Sequence, residues 1–402
     1  MDILIAGGGI GGLTAALALE RFGHSVRVVE QAGVIQEVGA GLQISPNGMR
    51  VLNALGLSAR VMRDAFRPEG IEMRMGRSGR VVFDVPLRRK GEGRWGAEYV
   101  HLHRADLIEA LKDMLLERVP DALLLGRQVE RYTQDGEGVQ LHLVGGEVLK
   151  ADILVAADGI HSIIREQMLG PDEARFTGNV AWRATVPMTE LGDLSPPATA
   201  CAWVGSKRHA VTYRLRRGSL ANFVGVVERR DWKVESWVEQ GTREEALKDF
   251  HKWNPIIRRI IERADVLNRW ALFDRDPLES WYDGRVVLLG DACHPMLPFL
   301  AQGAVMSIED AFVLAHALKV TNSVDDALAD YEARRKPRTA KVQAGARANA
   351  KLFHRAGVVG SVATFGPMAI GARMAPEFVK SRLDWIYGYD VTDVPAENPS
   401  TS

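Results

Sequence analysis

The chain has 402 residues, 46% of them hydrophobic, enough to bury a large core in two or three structural units or in one interleaved fold. Its 51 basic residues balance 51 acidic ones, so the overall charge advertises no nucleic-acid or anionic-membrane partner. The two cysteines, Cys201 and Cys293, lie far apart; they exclude a disulfide framework, match no metal-ligand spacing and suit a reducing cytoplasm.

The chain opens on Asp2–Ala6, an apolar run that predicts a strand, and continues into Gly7-Gly8-Gly9-Ile10-Gly11-Gly12. Leu13 to Arg21 is Ala/Leu-rich at helical spacing and closed by Gly23, and Val26–Val29 is a β-branched run ending at Glu30. Strand, glycine turn, helix and strand thus follow within about thirty residues. No basic and apolar signal-peptide regions stand in front of them. Asp106 is placed to cap a helix running from Leu107, with Leu107, Leu111, Leu115 and Leu116 on one side. Ile153–Ala157 predicts a further buried strand, ending at Asp158-Gly159.

From Thr177 to Arg229 the pattern changes. Asn179–Pro187, His209–Leu215 and Asn222–Val227 predict strands separated by polar turns, an antiparallel sheet inserted into the surrounding fold. Arg243–Arg263 predicts a helix, Val286–Leu289 a strand running into Gly290-Asp291, Ser307–Leu318 a helix, and Ala327–Leu352 a long helix with a charged face. The apolar stretch between Arg355 and Arg373 holds Gly357, Gly360, Gly366, Pro367 and Gly371. It falls short of the ~20 residues of a spanning helix and predicts packed helices instead. The polar tail after Val391, with Pro395 and Pro399, predicts disorder.

Gly7-x-Gly9-x-x-Gly12 between a strand and a helix is a dinucleotide fingerprint. Its glycines permit a tight turn and let backbone N–H groups and the helix start approach a pyrophosphate. Glu30, at the end of the second strand, can accept hydrogen bonds from ribose hydroxyls. The motif by itself does not distinguish FAD from NAD. Downstream, Gly290-Asp291 leads through a loop with Pro295 and Pro298 to Ala301-Gln302-Gly303-Ala304, which opens a helix. A helix start aimed at a ligand would stabilise negative charge such as that of a reduced flavin, though an ordinary helix cap reads the same way.

Several separate motifs in this order resemble those of the single-component flavoprotein aromatic hydroxylases. They are Gly7–Gly12 with Glu30, Gly39 through Asn47, His103-Arg104-Ala105-Asp106-Leu107, Ala157-Asp158-Gly159 through Arg165, Gly290 through Pro295, Ala301 through Ala304, and Trp385 through Asp390. The resemblance implies an α/β fold: a Rossmann-like FAD-binding domain of the p-hydroxybenzoate hydroxylase type, an interleaved antiparallel-sheet substrate domain and C-terminal helices. The corresponding bounds are 1–176 and 276–320 for the FAD-binding part, 177–275 for the sheet domain, 321–390 for the helices and 391–402 for the tail. It implies non-covalent FAD, NADH or NADPH as a transient co-substrate, and O2, with a flavin hydroperoxide as the electrophilic oxygen donor. The substrate would be a small hydroxylated aromatic or N-heteroaromatic carboxylate, hydroxylated with or without loss of the carboxylate. The protein would be a cytoplasmic monomer or homodimer without nucleic-acid, membrane or metal partners.

The resemblance also assigns residues. Gly7, Gly9, Gly11, Gly12, Glu30, Gln31, Gln43, Arg104, Val129, Asp158, Asp291, Gly303, Ala304 and Val305 would serve the cofactor. Among them Arg104 would lie on its phosphates, and Asp158 would support the pyrophosphate and nicotinamide docking. Gln43, Pro298 and Phe299 would border the substrate. The hydroxynicotinate-acting branch carries histidine where this chain has Gln43 and Phe299, which leaves a salicylate-like or other hydroxylated aromatic open. No second dinucleotide fingerprint is visible, as expected where the nicotinamide visits without a Rossmann domain of its own.

His209 and Tyr213 share one face of a predicted strand, roughly 13 Å apart along it, so both can border one pocket. Spacing alone favours a half-buried sheet histidine with a structural partner. The resemblance favours a base that removes the ring-hydroxyl proton and makes the ring electron-rich, with Tyr213 beside it. His294, between Cys293 and Pro295, reads as a loop-shaping hydrogen-bonding residue. A flavin oxidoreductase without oxygen insertion and a non-catalytic nucleotide-binding sensor are the alternatives.

Overall fold

The computed structural model describes residues 1–35, 41–87, 94–171, 174–229, 239–354 and 376–393. The apolar stretch 355–373 and the tail from 394 lie outside the described residues. A six-stranded sheet forms the first layer, in the order β18 (Tyr282–Asp283), β19 (Val286–Leu288), β11 (Ile153–Ala156), β1 (Asp2–Ala6), β2 (Ser25–Glu30) and β7 (Leu123–Leu125). Its neighbours are parallel except for β18 with β19. Parallel strands covered on both faces read as unbroken apolar runs. Accordingly Ile3–Ala6, Ile153–Ala156 and Val286–Leu288 are all buried. Helices α1 (Ile10–Arg21), α4 (Arg104–Arg118) and α8 (Gly303–Val320) pack together on this layer, and Leu13, Leu17, Leu111, Ile308 and Leu314 belong to its core.

Three strands, β8 (Val129–Gln134), β9 (Val139–Leu143) and β10 (Val148–Ala151), form an antiparallel meander between β7 and β11. A short pair, β3 (Gly41–Ile44) with β6 (Val100–His103), stands beside α2 (Pro46–Ala54) and α3 (Ser58–Asp64). Among the described residues the inserted sheet has eight strands. Their order is β16 (Glu239–Gln240), β17 (Asn268–Asp274), β12 (Arg175–Pro187), β15 (Leu220–Glu228), β14 (Arg208–Leu215), β13 (Ala200–Gly205), β4 (Gly70–Met75) and β5 (Val81–Pro86). The sheet is therefore not wholly antiparallel, because β13 pairs in parallel with β4, which the chain supplies some 130 residues earlier.

Alternation along the inserted strands separates two faces. Trp182, Trp203 and Phe223 point to a core that includes Phe250, which follows α6 (Arg243–Asp249), and Ile257 and Ile261 from α7 (Pro255–Arg263). Val224, Val226 and Trp270 point the other way, towards Phe299 and the end of α9 (Val324–Phe353). The remaining α-helices among the described residues are α5 (Ile163–Leu169) and α10 (Pro376–Tyr387).

Two expected helices are corrected. Arg243–Arg263 is two helices: Asn254 caps the second by accepting from the Ile256 N–H at 3.0 Å, and Pro255 takes its first position. Asp106 is not a cap, since α4 starts at Arg104; its carboxylate instead meets Arg216 Nη2 at 2.7 Å and Nε at 3.0 Å. Among the described residues no helix is long and apolar enough to cross a membrane.

Candidate active site

After β1 the chain turns through Gly7 at φ +106°. A Cβ on Gly7 would stand 2.3 Å from the Ala157 carbonyl oxygen, and one on Gly12 would stand 1.9 Å from that of Gly7. Both positions must therefore lack a side chain. Gly9 differs. It is extended, precedes α1 without any side-chain cap, and a Cβ there would meet no protein atom within 4 Å. Beside it lie the unsatisfied N–H groups of the helix start, which favour an anion. The contrast gives a test. Gly9→Leu is expected to leave the denaturation midpoint of the cofactor-free protein almost unchanged while weakening dinucleotide binding on the order of 10²-fold, about 2.7 kcal/mol. Gly12→Ala should instead destabilise the fold. Equal dinucleotide retention by Gly9→Leu would show that the ligand does not approach this turn.

Glu30 closes the same end of the sheet. Its carboxylate accepts from the N–H groups of Gly8 at 2.7 Å and Ala32 at 2.8 Å. Gln31 is exposed next to it. The Arg127 N–H donates to the Glu30 carbonyl at 2.9 Å, which brings the start of β8 and Val129 to this edge. Arg104 begins α4, half-buried. Asp158 follows β11; Oδ2 accepts from the Ile164 N–H at 3.4 Å, and the buried Oδ1 has no hydrogen-bond partner. Burial raises the Asp158 carboxyl above its ordinary pKa.

The loop after β19 forms the next part. Asp291 is exposed and, with Gly303 and Ala304, lines a large cavity. Ala301 adopts a left-handed conformation, φ +51°, and α8 starts without a side-chain cap. Gln302 faces away from that helix start: it donates to Ser45 Oγ at 2.9 Å and accepts from Asn47 Nδ2 at 3.2 Å. Val305 is buried against Gly48 and Ile44, so only its main chain remains available to a ligand. His294 shapes the loop as expected, with Nε2 2.5 Å from Asp310 Oδ2. Arg165, the last residue of the Ala157–Arg165 motif, has a role that the motif did not assign. It donates to the carbonyls of Ile160 at 2.8 Å and Ala292 at 3.0 Å, tying the Asp158 turn to the Asp291 turn.

The cavity, about 980 Å³, runs from this loop to the inner face of the inserted sheet. His209, Val211 and Tyr213 line it from β14, as their shared face requires, and Val224 and Val226 line it from β15. Gln43, Pro298 and Phe299 line it too, so the structure brings together all five residues assigned to substrate and chemistry. His209 is 2% exposed; its ring lies 5.1 Å from that of Phe299, and Nδ1 is 2.8 Å from His354 Nε2. It thus has a buried partner and also borders the cavity. Burial, with a smaller contribution from His354, lowers its pKa well below the ordinary value. Tyr213 packs its hydroxyl end against Gly41, whose N–H donates to Asn222 Oδ1 at 2.9 Å. Burial raises the phenol's pKa and outweighs the opposite effect of Arg183. Gln43 accepts from the Tyr99 hydroxyl at 2.5 Å.

Arg183 and Trp270 are further lining residues that motif reading missed. The guanidinium carbon lies 4.7 Å from the indole centroid, a cation–π contact. Alternation from Trp182 could have placed Arg183 on this face. Both cysteines are free and buried, and the described residues hold no metal-ligating cluster.

Comparison with known proteins agrees across nearly the whole chain. The FAD binding domain family matches residues 1–346. A 3-hydroxybenzoate 6-hydroxylase from Polaromonas naphthalenivorans (strain CJ2) is 35% identical over 400 residues, 99% of this chain and 98% of its own. A 6-hydroxynicotinate 3-monooxygenase from Pseudomonas fluorescens is 34% identical over 404 residues, 99% of this chain and 97% of its own. The crystal structure of Klebsiella pneumoniae HpxO complexed with FAD and uric acid matches with a TM-score of 0.84 at 28% identity, covering 95% of this chain and 97% of that one.

Proposed function

From the premise that the chain belongs to the FAD binding domain family and is an FAD-dependent aromatic-ring monooxygenase, we propose that its substrate is a small hydroxylated aromatic carboxylate, salicylate-like or hydroxybenzoate-like. One observation carries this reading: one cavity is lined both by the loop after β19 and by His209 and Tyr213 of the inserted sheet. Its walls include Val211, Val224, Leu272 and Phe299, apolar surfaces suited to a flat ring. Arg183 adds a cation that suits a carboxylate. Phe299 and Gln43, where the hydroxynicotinate branch has histidines, favour a benzenoid phenol over a hydroxypyridine.

The residues fit FAD. Gly7 and Gly12 close the turn, Gly11 lets α1 pack against Leu289 and Ser307, and Gly9 leaves space for a pyrophosphate. Glu30 and Gln31 would hold the adenosine ribose, with Val129 at the same edge. Arg104 would face the phosphates, and the buried, partnerless Oδ1 of Asp158 would receive a donor from the cofactor or the visiting NADH or NADPH. Asp291 would accept from a ribityl hydroxyl, and the start of α8 at Gly303–Val305 would face negative charge on the reduced ring. When bound, FAD supplies reduction by the nicotinamide and the activation of O2, one atom of which enters the substrate ring.

The chain's own residues act on the substrate. His209, kept neutral by burial, takes the ring-hydroxyl proton and so enriches the ring in electrons. Tyr213, kept protonated by burial, donates a hydrogen bond and orients the ring. The apolar walls exclude water that would divert activated oxygen to peroxide. The relatives' names, hydroxylase and monooxygenase, support oxygen insertion over dehydrogenation.

A panel containing salicylate and 3-hydroxybenzoate tests the substrate. The true substrate is expected to accelerate anaerobic flavin reduction by NADH and to acquire one labelled atom from ¹⁸O2. If NADH is oxidised but every phenol of the panel leaves the product unlabelled, the substrate class is wrong. The two free, buried cysteines support a cytoplasmic setting. Light scattering would test the proposed monomer or homodimer.

A further inference from the structure

His209 lies at the inner end of a chain of hydrogen-bonding groups that crosses from the cavity to the surface. Its Nδ1 is 2.8 Å from His354 Nε2, and His354 Nδ1 is 3.1 Å from Glu228 Oε1. Exposure rises along the chain, from 2% at His209 to 6% for the His354 side chain and 42% for that of Glu228. The three residues come from β14, the C-terminal cap of α9 and the end of β15. Phe299 and Phe353 flank the His209 ring at 5.1 and 5.2 Å. The Lys207 N–H donates to the His354 carbonyl at 3.4 Å, and the Glu228 N–H to the Lys207 carbonyl at 2.9 Å.

We propose that Glu228 and His354 set the tautomer of His209 and carry the substrate's hydroxyl proton from the cavity to solvent. The inference rests on the reading of His209 as the group that meets the ring hydroxyl. Its logic follows from donor and acceptor counts. An ionised carboxylate only accepts, and a neutral imidazole has one donor and one acceptor nitrogen. Glu228 therefore requires the His354 proton on Nδ1, which makes His354 Nε2 an acceptor. That acceptor requires the His209 proton on Nδ1, and His209 Nε2 is then a lone pair available to the substrate.

The transfer balances. The ring O–H bond breaks and a proton joins His209 Nε2. The Nδ1 proton of His209 passes to His354 Nε2, and the Nδ1 proton of His354 passes to Glu228, which releases it to water. No buried imidazolium accumulates, which matters because burial disfavours charge at both rings. The reverse sequence reprotonates the product and restores both tautomers.

Among the described residues, the other charged side chains within a few positions of His209, His354 and Glu228 are Lys207, Arg208, Arg229 and Lys351. Arg208 and Arg229 are engaged by Asp249, whereas Lys207 and Lys351 are exposed. The loop that presents Phe299 brings no charged side chain between Met296 and Gly303.

Two measurements on the FAD-loaded protein test this. Ring-nitrogen NMR of ¹⁵N-histidine-labelled protein, assigned with His354→Asn, is expected to show the Nδ1–H tautomer at both His209 and His354. In Glu228→Gln, where an amide can donate, that preference should be lost. An Nε2–H tautomer at His209 in the unaltered protein overturns the proposal without any ligand. Second, 4-hydroxy-3-nitrobenzoate, whose phenolate is coloured, is mixed into a pH jump. His354→Asn and Glu228→Gln should slow its ionisation in the bound state on the order of 10²-fold, with little change in affinity for the preformed phenolate. Unchanged ionisation rates in both variants overturn the conduit. A parent protein that binds no phenol counts against the substrate reading instead, and the tautomer result still decides the conduit.

Discussion

Replacing His209 by alanine is expected to lower hydroxylation of bound substrate by roughly 10²–10⁴-fold, the usual cost of losing a positioned base, with FAD still bound. The expectation follows from where the residue sits. His209 belongs to β14 on the cavity face of the inserted sheet, whereas the contacts proposed for the cofactor are Gly7–Gly12, Glu30, Asp158 and the loop after β19. Truncation also leaves His354 Nε2 without its partner and opens space between Phe299 and Phe353. A stability loss of about 1–3 kcal/mol should therefore accompany the variant, and His209→Asn, which fills more of the site, should fold better. Tyr213→Phe removes only a hydroxyl and keeps the ring against Gly41 and His101, 4.9 Å away between centroids. Weaker substrate binding and more peroxide are expected there, with hydroxylation retained.

The pH dependence of this reaction has a definite sign. Because burial and His354 depress the His209 pKa, the base form prevails at neutral pH, and activity should fall only well on the acid side of 6.5. The unfolded chain binds its proton at the ordinary value while the folded chain does not, so stability is lost as pH falls below 6.5. His101, buried and lowered to about 3, acts in the same direction. The acid limb must therefore be read by rapid mixing of reduced, substrate-loaded protein with oxygen, before unfolding intervenes. A His209→Ala protein with the same yield and acid limb as its parent would place the base elsewhere.

Most of the cofactor end was legible because its information is local. Gly7, Gly9, Gly12 and Glu30 fall within one strand–helix–strand unit, and each spacing has a steric or hydrogen-bonding reason. The period of two along β14 likewise put His209 and Tyr213 on one face, and the structure places both in the cavity. What motif reading missed is non-local. Nothing near residues 200–205 announces that β13 pairs in parallel with β4. His354 lies two residues beyond the predicted helix Ala327–Leu352, and only folding brings it to His209 and Glu228. The break between α6 and α7 is different in kind, since Asn254-Pro255 is a local stop-and-start signal that the apolar periodicity masked. Asp106 misled because a carboxylate near a helix start has two readings, cap or surface ion pair, and Arg216 from a distant strand end decides between them.

Arg335→Met is expected to destabilise the fold by roughly 3–5 kcal/mol, the typical cost of removing one partner from a buried ion pair. Arg335 is fully buried; it donates to Glu309 at 2.6 Å and to Asp310 at 2.7 Å, both carboxylates also fully buried. Arg338 and Asn47 still reach Glu309, so that carboxylate keeps partners. Asp310 is the more vulnerable of the two, because its remaining contacts are His294 and the Gly290 N–H at 3.3 Å. Those contacts hold the loop that carries Asp291, so FAD affinity should fall together with stability. Burial pushes the Asp310 carboxyl up, but His294 and Arg335 outweigh it and keep its pKa below the ordinary 3.8. A depressed carboxylate contributes stability that is present above its unfolded pKa and lost as pH falls through the folded one. Removing Arg335 raises the folded value, so acid unfolding should begin at higher pH than in the parent. Arg335→Lys keeps a charge but lacks the planar fork that serves two carboxylates, and an intermediate loss is expected. Denaturant titrations with and without saturating FAD, at neutral and acid pH, separate the two effects. A methionine variant with parental stability, FAD affinity and acid-unfolding midpoint would show that this buried cluster does not hold the cofactor loop.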